Sequence, residues 1–290
     1  MSTTNTTYPI VAALVKAEDI LGPNRQWQPV NATQSRFLKE FFASCRGEVG
    51  IPEIESIASW NVEVINRFLS ERGFSIQLEA LDDDTFGVAS VLDLLVEWMV
   101  EGIATTVTTS NMKSYPGVRI DAKGISFFTV PGHSNPIAQI HTKNGDRVYL
   151  TMMSDQPEGF DLVARAEELT TGRKACHVYG DLVFPMVDLD QRVNISWLLD
   201  MMTTRQNTGQ RAWISQAMQQ TKLKMNQTGA HVKSAVAIAV SLEMFIQPKP
   251  DHVINQPFLV WFERDGLSKP LFVGHITTDN WKNPGDLQNM

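Results

Sequence analysis

The sequence has few of the features that mark an enzyme, a metal protein or a redox protein. Only two cysteines occur in its 290 residues, Cys45 and Cys176, and their separation matches no metal-site or redox spacing. It contains no phosphate-binding glycine loop, no nucleophile elbow and no paired histidines. We therefore predict no catalytic residues, no metal site and no cofactor, and we expect that the protein is not an enzyme.

Positive charge and long apolar runs are scarce as well. The chain carries a formal net charge of -7, which disfavours long-range attraction to nucleic acid or to an anionic membrane. The longest apolar stretch, VLDLLVEWMV, is too short and too acidic to span a bilayer. The first twenty residues lack the basic start and the continuous apolar segment of a signal peptide. These features predict a cytoplasmic protein with no nucleic-acid partner and no membrane partner.

The overall composition is typical of a folded globular protein. Hydrophobic residues make up 43% of the chain and charged residues 20%. The polar segment MSTTNTT predicts a disordered tail over residues 1–7. No repeat and no low-complexity linker interrupts the rest. We therefore predict one mixed α+β domain over residues 8–290.

The region from about residue 32 to residue 102 predicts the helical part of this domain. The segment SRFLKEFFASC and the stretch 56–69 repeat apolar residues at spacings of three and four, and Gly73 ends the second helix. The segment GFSIQLEAL alternates and predicts a strand. The segment VASVLDLLVEWMVEG predicts a further helix with the apolar stripe Val91, Leu94, Leu95, Trp98 and Met99.

The remainder of the chain is predicted to be rich in strands. GISFFTV, IAQIHT and DRVYLTMM have strand composition, and NGD between the last two predicts a hairpin turn. A short helix is predicted over 161–169, followed by a strand in CHVYGDLVFPMV and a short helix in ISWLLDMM.

An unusual strand pattern begins at Ala230. Every second residue is small or β-branched, and the residues between them include charged and polar side chains. The first set is Ala230, Val232, Ser234, Val236, Ile238 and Val240, and the second is His231, Lys233, Ala235, Ala237, Ala239 and Ser241. This alternation is typical of a half-buried strand, yet it runs towards Pro248 and Pro250, which favour loops and sheet edges.

The segments around this pattern resemble the serpins, the serine-protease inhibitor family. ISQAMQQTKLKMNQTGAHVKSAVAIAV is similar to the strand and hinge that precede the family's reactive-centre loop. VINQPFLVWFERDGLSKPLFVGHI is similar to the strands that follow it, with Asn255, Pro257 and Phe258 in an Asn-x-Pro-Phe motif. VFPMVDLDQRVNISWLLDMM is similar to a family strand and short helix. The resemblance is strongest over residues 183–284, the C-terminal third.

The resemblance implies a serpin-like fold of mixed sheets, with an N-terminal helical part shorter than usual and an exposed reactive-centre loop. It implies a suicide-substrate inhibitor of a serine or cysteine protease, in which the cleaved loop inserts into the main sheet. The implied reactive bond is Glu243–Met244, with Leu242 and Phe245 as alternatives. The implied hinge residues are Gln227, Thr228, Gly229, Ala230, Val232 and Ser234.

Register decides whether such an insertion is possible. The register that turns Val232, Val236, Ile238 and Val240 inward leaves Lys233 on the outward face, so no unpaired charge is buried. Departures from the family's small-residue hinge, at His231, Val232 and Lys233, leave open a second function. The alternative is a non-inhibitory, serpin-like binding or structural protein, alone or as part of a larger assembly.

Overall fold

The computed structural model describes residues 1–81, 85–230 and 249–287. Its helices are α1 (Thr7–Lys16), α2 (Glu18–Leu21), α3 (Ala32–Phe37), α4 (Ala43–Cys45), α5 (Val62–Glu71) and α6 (Phe160–Thr170), and a π-helical stretch, Leu38–Phe42, joins α3 to α4. None of these helices combines the length and the hydropathy needed to cross a bilayer.

The strands are β1 (Thr3–Asn5), β2 (Ile54–Ser59), β3 (Gly87–Leu92), β4 (Val96–Glu97), β5 (Ile103–Thr108), β6 (Ser114–Ile120), β7 (Ile125–Thr129), β8 (Ile137–His141), β9 (Arg147–Met152), β10 (Lys174–Cys176), β11 (Leu182–Pro185), β12 (Val187–Val193), β13 (Met202–Thr204), β14 (Arg211–Trp213), β15 (Gln219–Met225), β16 (Gly229–Ala230), β17 (His252–Val253), β18 (Phe258–Glu263) and β19 (Phe272–Ile276).

The largest sheet has seven strands in the order β1-β19-β18-β9-β8-β7-β10. The interior strand β18 carries the run FLVWF, and all five residues are buried. Because successive strand residues point to opposite faces, this run requires both faces of the sheet to be covered. Helix α6 packs against β19 and β1. The predicted hairpin turn at NGD joins β8 to β9, with Gly145 at φ +85°.

The N-terminal tail is part of this sheet, so the prediction of a disordered tail is wrong. Strand β1 pairs with β19, and Thr4 lies opposite Gly274. Ser2 and Thr4 are buried, and the Ser2 hydroxyl donates to the Asn280 side chain at 2.7 Å. The polar side chains of the tail are tolerated because the buried hydroxyls find partners of this kind.

The predicted helical part over residues 32–102 is only partly helical. SRFLKEFFASC is helical as expected, but the first residues of 56–69 belong to β2, and α5 begins at Val62 behind the N-cap Asn61. The Asn61 side chain accepts from the amide of Glu63 at 2.8 Å. Gly73, at φ +78°, follows the end of this helix, as predicted.

The predicted helix over 88–102 is instead extended chain, in which β3 and β4 lie. Leu95 and Met99, both on the proposed helical stripe, are exposed, whereas Val96 and Trp98 are buried. Burial therefore follows a period of two over this segment. A short apolar run fits either period, and pairing of β3 with β2 selects the strand.

The other predicted elements of the second half are present, with changed bounds. Helix α6 covers the region predicted over 161–169 and extends it by one residue at each end. CHVYGDLVFPMV is interrupted: Cys176 ends β10, residues 182–185 form β11, and Val187 begins β12. ISWLLDMM contains a single 3-10 turn at Ser196–Leu198. A four-stranded sheet has the order β17-β11-β6-β5, and the pairs β2–β3, β4–β16 and β12–β15 form two-stranded units.

Candidate functional site

A gap lies between strands β3 and β15, and both strands border the same cavity. We call this gap the slot. The described residues of β3 and β15 share no strand pairing: β3 pairs with β2, and β15 pairs with β12. A cavity of about 1810 Å³ is lined by both strands. Its back wall includes Ile10 and Leu14 of α1, both of which belong to the main core. The site is therefore an elongated gap between strand edges, with an apolar wall behind it.

The two faces of the chain from β3 to β4 contact different parts of the protein. Leu92 at the end of β3, Leu94 between the strands and Val96 of β4, all at even positions, pack against the main core, which lies behind the slot. Ala89 and Val91, at odd positions, pack in a second cluster with Ile65 and Phe68 of α5 and with Ile76. We call these the core face and the front face.

A tight turn from β15 into β16 closes one end of the slot, which we call its head. Asn226 and Gly229 form a bridge, and Gly229 and Ala230 pair antiparallel with Glu97 and Val96 of β4. The Asn226 side-chain oxygen accepts from the Thr228 amide at 2.9 Å and from its hydroxyl at 2.7 Å. These hydrogen bonds hold the turn at the head of the slot in one conformation.

Two further contacts fix the turn to its surroundings. The buried indole of Trp98 donates to the Asn226 carbonyl at 3.0 Å, and the Gly102 amide donates to the Gln227 carbonyl at 2.7 Å. The sequence prediction missed both Trp98 and Asn226. The Asn-x-Thr-Gly order after a strand was the available signal, because asparagine and glycine favour turns.

Only some of the predicted hinge residues lie in the described part of the chain. Gln227, Thr228, Gly229 and Ala230 lie together in this turn and in β16. Val232, Ser234 and the bonds proposed around Leu242, Glu243, Met244 and Phe245 fall within 231–248, outside the described residues. The role of all these residues remains a prediction.

An extended segment, residues 73–81, lines the same cavity, and we call it the strap. The prediction of a strand here is wrong: the strap has no strand ladder, and side-chain amides bind its backbone instead. Gln220 accepts from the amide of Ser75 at 2.8 Å, and Gln216 accepts from the amide of Glu79 at 2.8 Å. On the other flank, the Asn66 side chain exchanges two hydrogen bonds with the backbone of Leu78.

These contacts tie the strap to both sides of the slot, because Gln220 belongs to β15 and Asn66 to α5. Lys222 adds a hydrogen bond from its ammonium to the Gly73 carbonyl at 2.7 Å. Gln220 also donates to Asp190 of the neighbouring strand β12 at 2.6 Å. Long-range side-chain contacts of this kind produce no periodic pattern in the sequence. The alternation in GFSIQLEAL therefore predicted a strand where the structure has none.

The chain that follows residue 248 is anchored to the four-stranded sheet. Arg119 lies between two carboxylates, with Nε 2.9 Å from Asp181 and Nη1 2.8 Å from Asp251. The Gly180 amide donates to the Pro250 carbonyl at 3.0 Å, and the His252 amide donates to the Asp181 carbonyl at 2.8 Å. Residues 250–252 are thus held by backbone and ionic contacts together.

His252 completes this anchor as a buried neutral group. Its ring packs against Phe127 and Tyr179, with centroid distances of 5.7 and 4.9 Å. Burial of the ring lowers the pKa of His252 to about 4. Both ends of the segment 231–248 are therefore attached to the body of the protein, one at β16 and the other at β17.

The fold is similar to that of known solved structures. A serpin from the insect Tenebrio molitor, described as highly specific, superposes with a TM-score of 0.52 at 10% identity, over 96% of this chain and 92% of that chain. Thyroxine-binding globulin in complex with thyroxine gives a TM-score of 0.56 at 12% identity, over 97% and 93%.

The chain has a serpin-like fold. The predicted serpin-like α+β class is therefore confirmed, although these identities support the fold alone. No protein-family model matches the sequence, and no curated protein matches it. In this serpin-like fold the turn at Gly229 and the anchor at Arg119 hold the described residues on either side of 231–248, to which the resemblance assigns the reactive-centre loop.

Proposed function

We propose that residues 231–248 act as a reactive-centre loop and that the protein inhibits a serine or cysteine protease as a suicide substrate. The observation that carries this proposal is the pairing of Gly229 and Ala230 with β4 at the head of the slot. These two residues occupy the first positions of a strand that would lie between β3 and β15. Cleavage of the loop would free the chain beyond Ala230 to pair further along the slot, between β3 and β15.

The pairing at Gly229 and Ala230 defines the register of an inserted strand. In an inserted strand each further residue of the loop would lie opposite one residue earlier in the chain from β4 back to β3. Val232 would then lie opposite Leu94, and Ser234 opposite Leu92, both of which are on the core face. In the same register Val236, Ile238 and Val240 would also point to that face.

The opposite face of the inserted strand fits what lies in front of the slot. Ala235 and Ala237 would lie opposite Val91 and Ala89, which pack beneath α5. Small side chains would suit this position because α5 and the strap already cover it. His231 and Lys233 would lie opposite Leu95 and Asp93, which are both exposed. The alternation in the sequence thus matches the two different walls of the slot.

Apolar burial supplies the driving force for insertion. Val232, Val236, Ile238 and Val240 would each contribute roughly 1.5–3 kcal/mol on entering the core face, or roughly 6–12 kcal/mol together. Backbone pairing with the free edges of β3 and β15 adds to this term. Insertion would therefore stabilise the cleaved protein substantially relative to the intact one.

One structural relationship favours the non-inhibitory alternative. If the hairpin from β15 into β16 were to continue in the same register, Lys233 would lie opposite Lys222 on the front face. Like charges directly opposite each other are destabilising in a sheet. Asp93, on the other side of Lys233, and Asp190, 3.6 Å from Lys222, would offset part of this repulsion, and the remainder would slow the first steps of insertion. Slow insertion turns an inhibitor into a substrate, so a serpin-like binding or structural protein, alone or within an assembly, is our second candidate.

A panel of serine and cysteine proteases separates the two candidates. Each protease is incubated with the protein and the products are resolved on a denaturing gel. An inhibitor gives a covalent complex that survives boiling, and mass spectrometry of the released fragment then identifies the bond among Leu242, Glu243, Met244 and Phe245. Nicking without a complex supports the second candidate. Cell fractionation would test the predicted cytoplasmic location.

A further inference from the structure

Strand β5 forms an open edge of the four-stranded sheet. Its only strand pairing in the described part of the chain is with β6. Ala104, Thr105, Thr106 and Thr108 are exposed, and Ile103 is 71% exposed. A strand edge with free amides and carbonyls is a template for another strand.

The position of Pro116 shows which peptide groups of β5 point outward. Pro116 lies opposite Thr106, and its carbonyl accepts from the Met186 amide at 2.9 Å, on the side away from β5. In an antiparallel strand the amide and carbonyl of one residue point to the same side. Thr106 therefore forms a non-hydrogen-bonded pair with Pro116, and its own peptide groups point outward. By alternation, those of Ala104 and Thr108 do the same.

This edge lacks the features that normally prevent strand addition. Residues 103–112 contain no charged residue and no proline. The outer strands of the two larger sheets are otherwise short: β1 and β10 have three residues each and β17 has two, whereas β5 has six. β10 also carries Lys174, and Asp251 directly precedes β17.

We propose that β5 pairs antiparallel with β5 of a second copy of this chain, about a twofold axis at Thr106. In this register Thr106 lies opposite its counterpart and Ala104 opposite Thr108. All outward peptide groups therefore meet outward peptide groups, as a continuous ladder requires.

The composition of the strand favours a second copy as the occupant. Residues 103–112 carry no charge, so no like charges meet when the strand pairs with its own copy. The net charge of -7 still opposes association of two copies. The dimer should therefore be weak and should strengthen when salt screens this repulsion.

Sedimentation equilibrium and amide exchange test this proposal on the full chain. The apparent mass should rise with concentration from 32.5 kDa towards twice that value, and more steeply at high salt. In parallel, exchange at the amides of Thr106 and Thr108 should slow with concentration, while the amide of Thr105, already paired with β6, should not change. A monomer at every concentration, or exchange independent of concentration, would overturn the proposal.

A matched pair of variants locates the interface. Thr106→Pro removes an outward amide without removing a hydrogen bond to β6, so dimerisation should be lost. Thr106→Val keeps that amide and should dimerise as the wild type does. Undiminished dimerisation of Thr106→Pro would contradict the proposed register. If Thr106→Pro does not fold, the exchange measurement on the wild-type protein decides alone. Neither result depends on protease inhibition.

Discussion

Gly229 packs so closely against β4 that a Cβ atom at this position would lie 2.7 Å from the carbonyl oxygen of Val96. Its φ of +121° is also a conformation that other residues rarely adopt. We expect Gly229→Ala to destabilise the protein by about 1–3 kcal/mol through this strain and clash. Chemical denaturation measures the loss. Gly132→Ala is the matched control, because Gly132 also has a positive φ but open space around it.

If Gly229→Ala and Gly132→Ala cost the same free energy, the close approach to β4 contributes nothing. Amide exchange at Gly102 and Thr228, which donate to the Gln227 carbonyl and to the Asn226 side chain, gives a second readout. Exchange there should accelerate in Gly229→Ala alone, because the head of the slot would open.

The inserted register predicts opposite effects for two adjacent residues. Val232→Arg would force a charge onto the core face opposite Leu94, which is costly without a partner. The covalent complex should be lost while cleavage continues. His231→Arg places the same charge on the front face opposite exposed Leu95, and complex formation should persist. Equal yields from the two variants would show that the register is wrong.

Cleavage of the loop should raise the thermal stability of the protein. The free energy estimated for burying Val232, Val236, Ile238 and Val240 is larger than the free-energy change that shifts a melting temperature by a few degrees. We expect the nicked protein to melt about 10 °C or more above the intact protein. Differential scanning calorimetry on both forms measures this difference. Identical melting temperatures would mean that the cleaved loop does not insert, and the inhibitor proposal would then fail.

The strap depends on Gln220 for its attachment to β15. Gln220→Ala would leave the amides of Ser75 and Ile76 without this acceptor, at a cost of about 1–3 kcal/mol for the lost partner. Hydrogen exchange at these two amides should accelerate. Gln219→Ala is the control, since Gln219 donates to the Thr6 carbonyl, away from the strap. An unchanged exchange rate at Ser75 in Gln220→Ala would rule out the attachment.

His252 predicts a pH dependence of folding. Its pKa is lowered to about 4 in the folded state, below the ordinary histidine value of about 6.5. The unfolded chain therefore binds a proton that the folded chain does not, between these two values. Stability should fall by roughly 3 kcal/mol as the pH drops from about 6.5 to 4.

His252→Phe should reduce this loss, because phenylalanine fits against Phe127 and Tyr179 without titrating. Denaturation curves between pH 7 and pH 4 would show a shallower dependence for this variant. Burial also lowers the pKa values of His133 and His275, so part of the loss should remain. A slope equal to that of the wild type would contradict the assignment to His252.

Several elements follow from local sequence signals alone. The turn at Asn144, Gly145 and Asp146 was predictable because asparagine and glycine favour the backbone of a tight hairpin. Helix α6 was predictable from its apolar spacing, and the strands β7, β8 and β9 from their composition. The turn glycine Gly229 was also found from the sequence, although the close contact with β4 that requires glycine there was not visible in it.

Other elements depended on partners distant in the chain. The segment 88–102 carries an apolar run that fits a helix as well as a strand, and only pairing with β2 decides between them. The tail over residues 1–7 has no local preference strong enough to order it, yet β19 offers a free edge. Ser2 and Thr4 become buried only because β1 occupies that edge.

The alternation from Ala230 to Val240 is set by the amino-acid sequence alone, because the order of side chains along a strand fixes its two faces. Which surface of the protein each face would contact depends on the tertiary structure. The core behind Leu92 and Leu94 and the α5 cluster at Ala89 are assembled from segments far apart in the chain. Periodicity records that two faces differ, whereas the identity of the surface opposite each face arises from long-range packing.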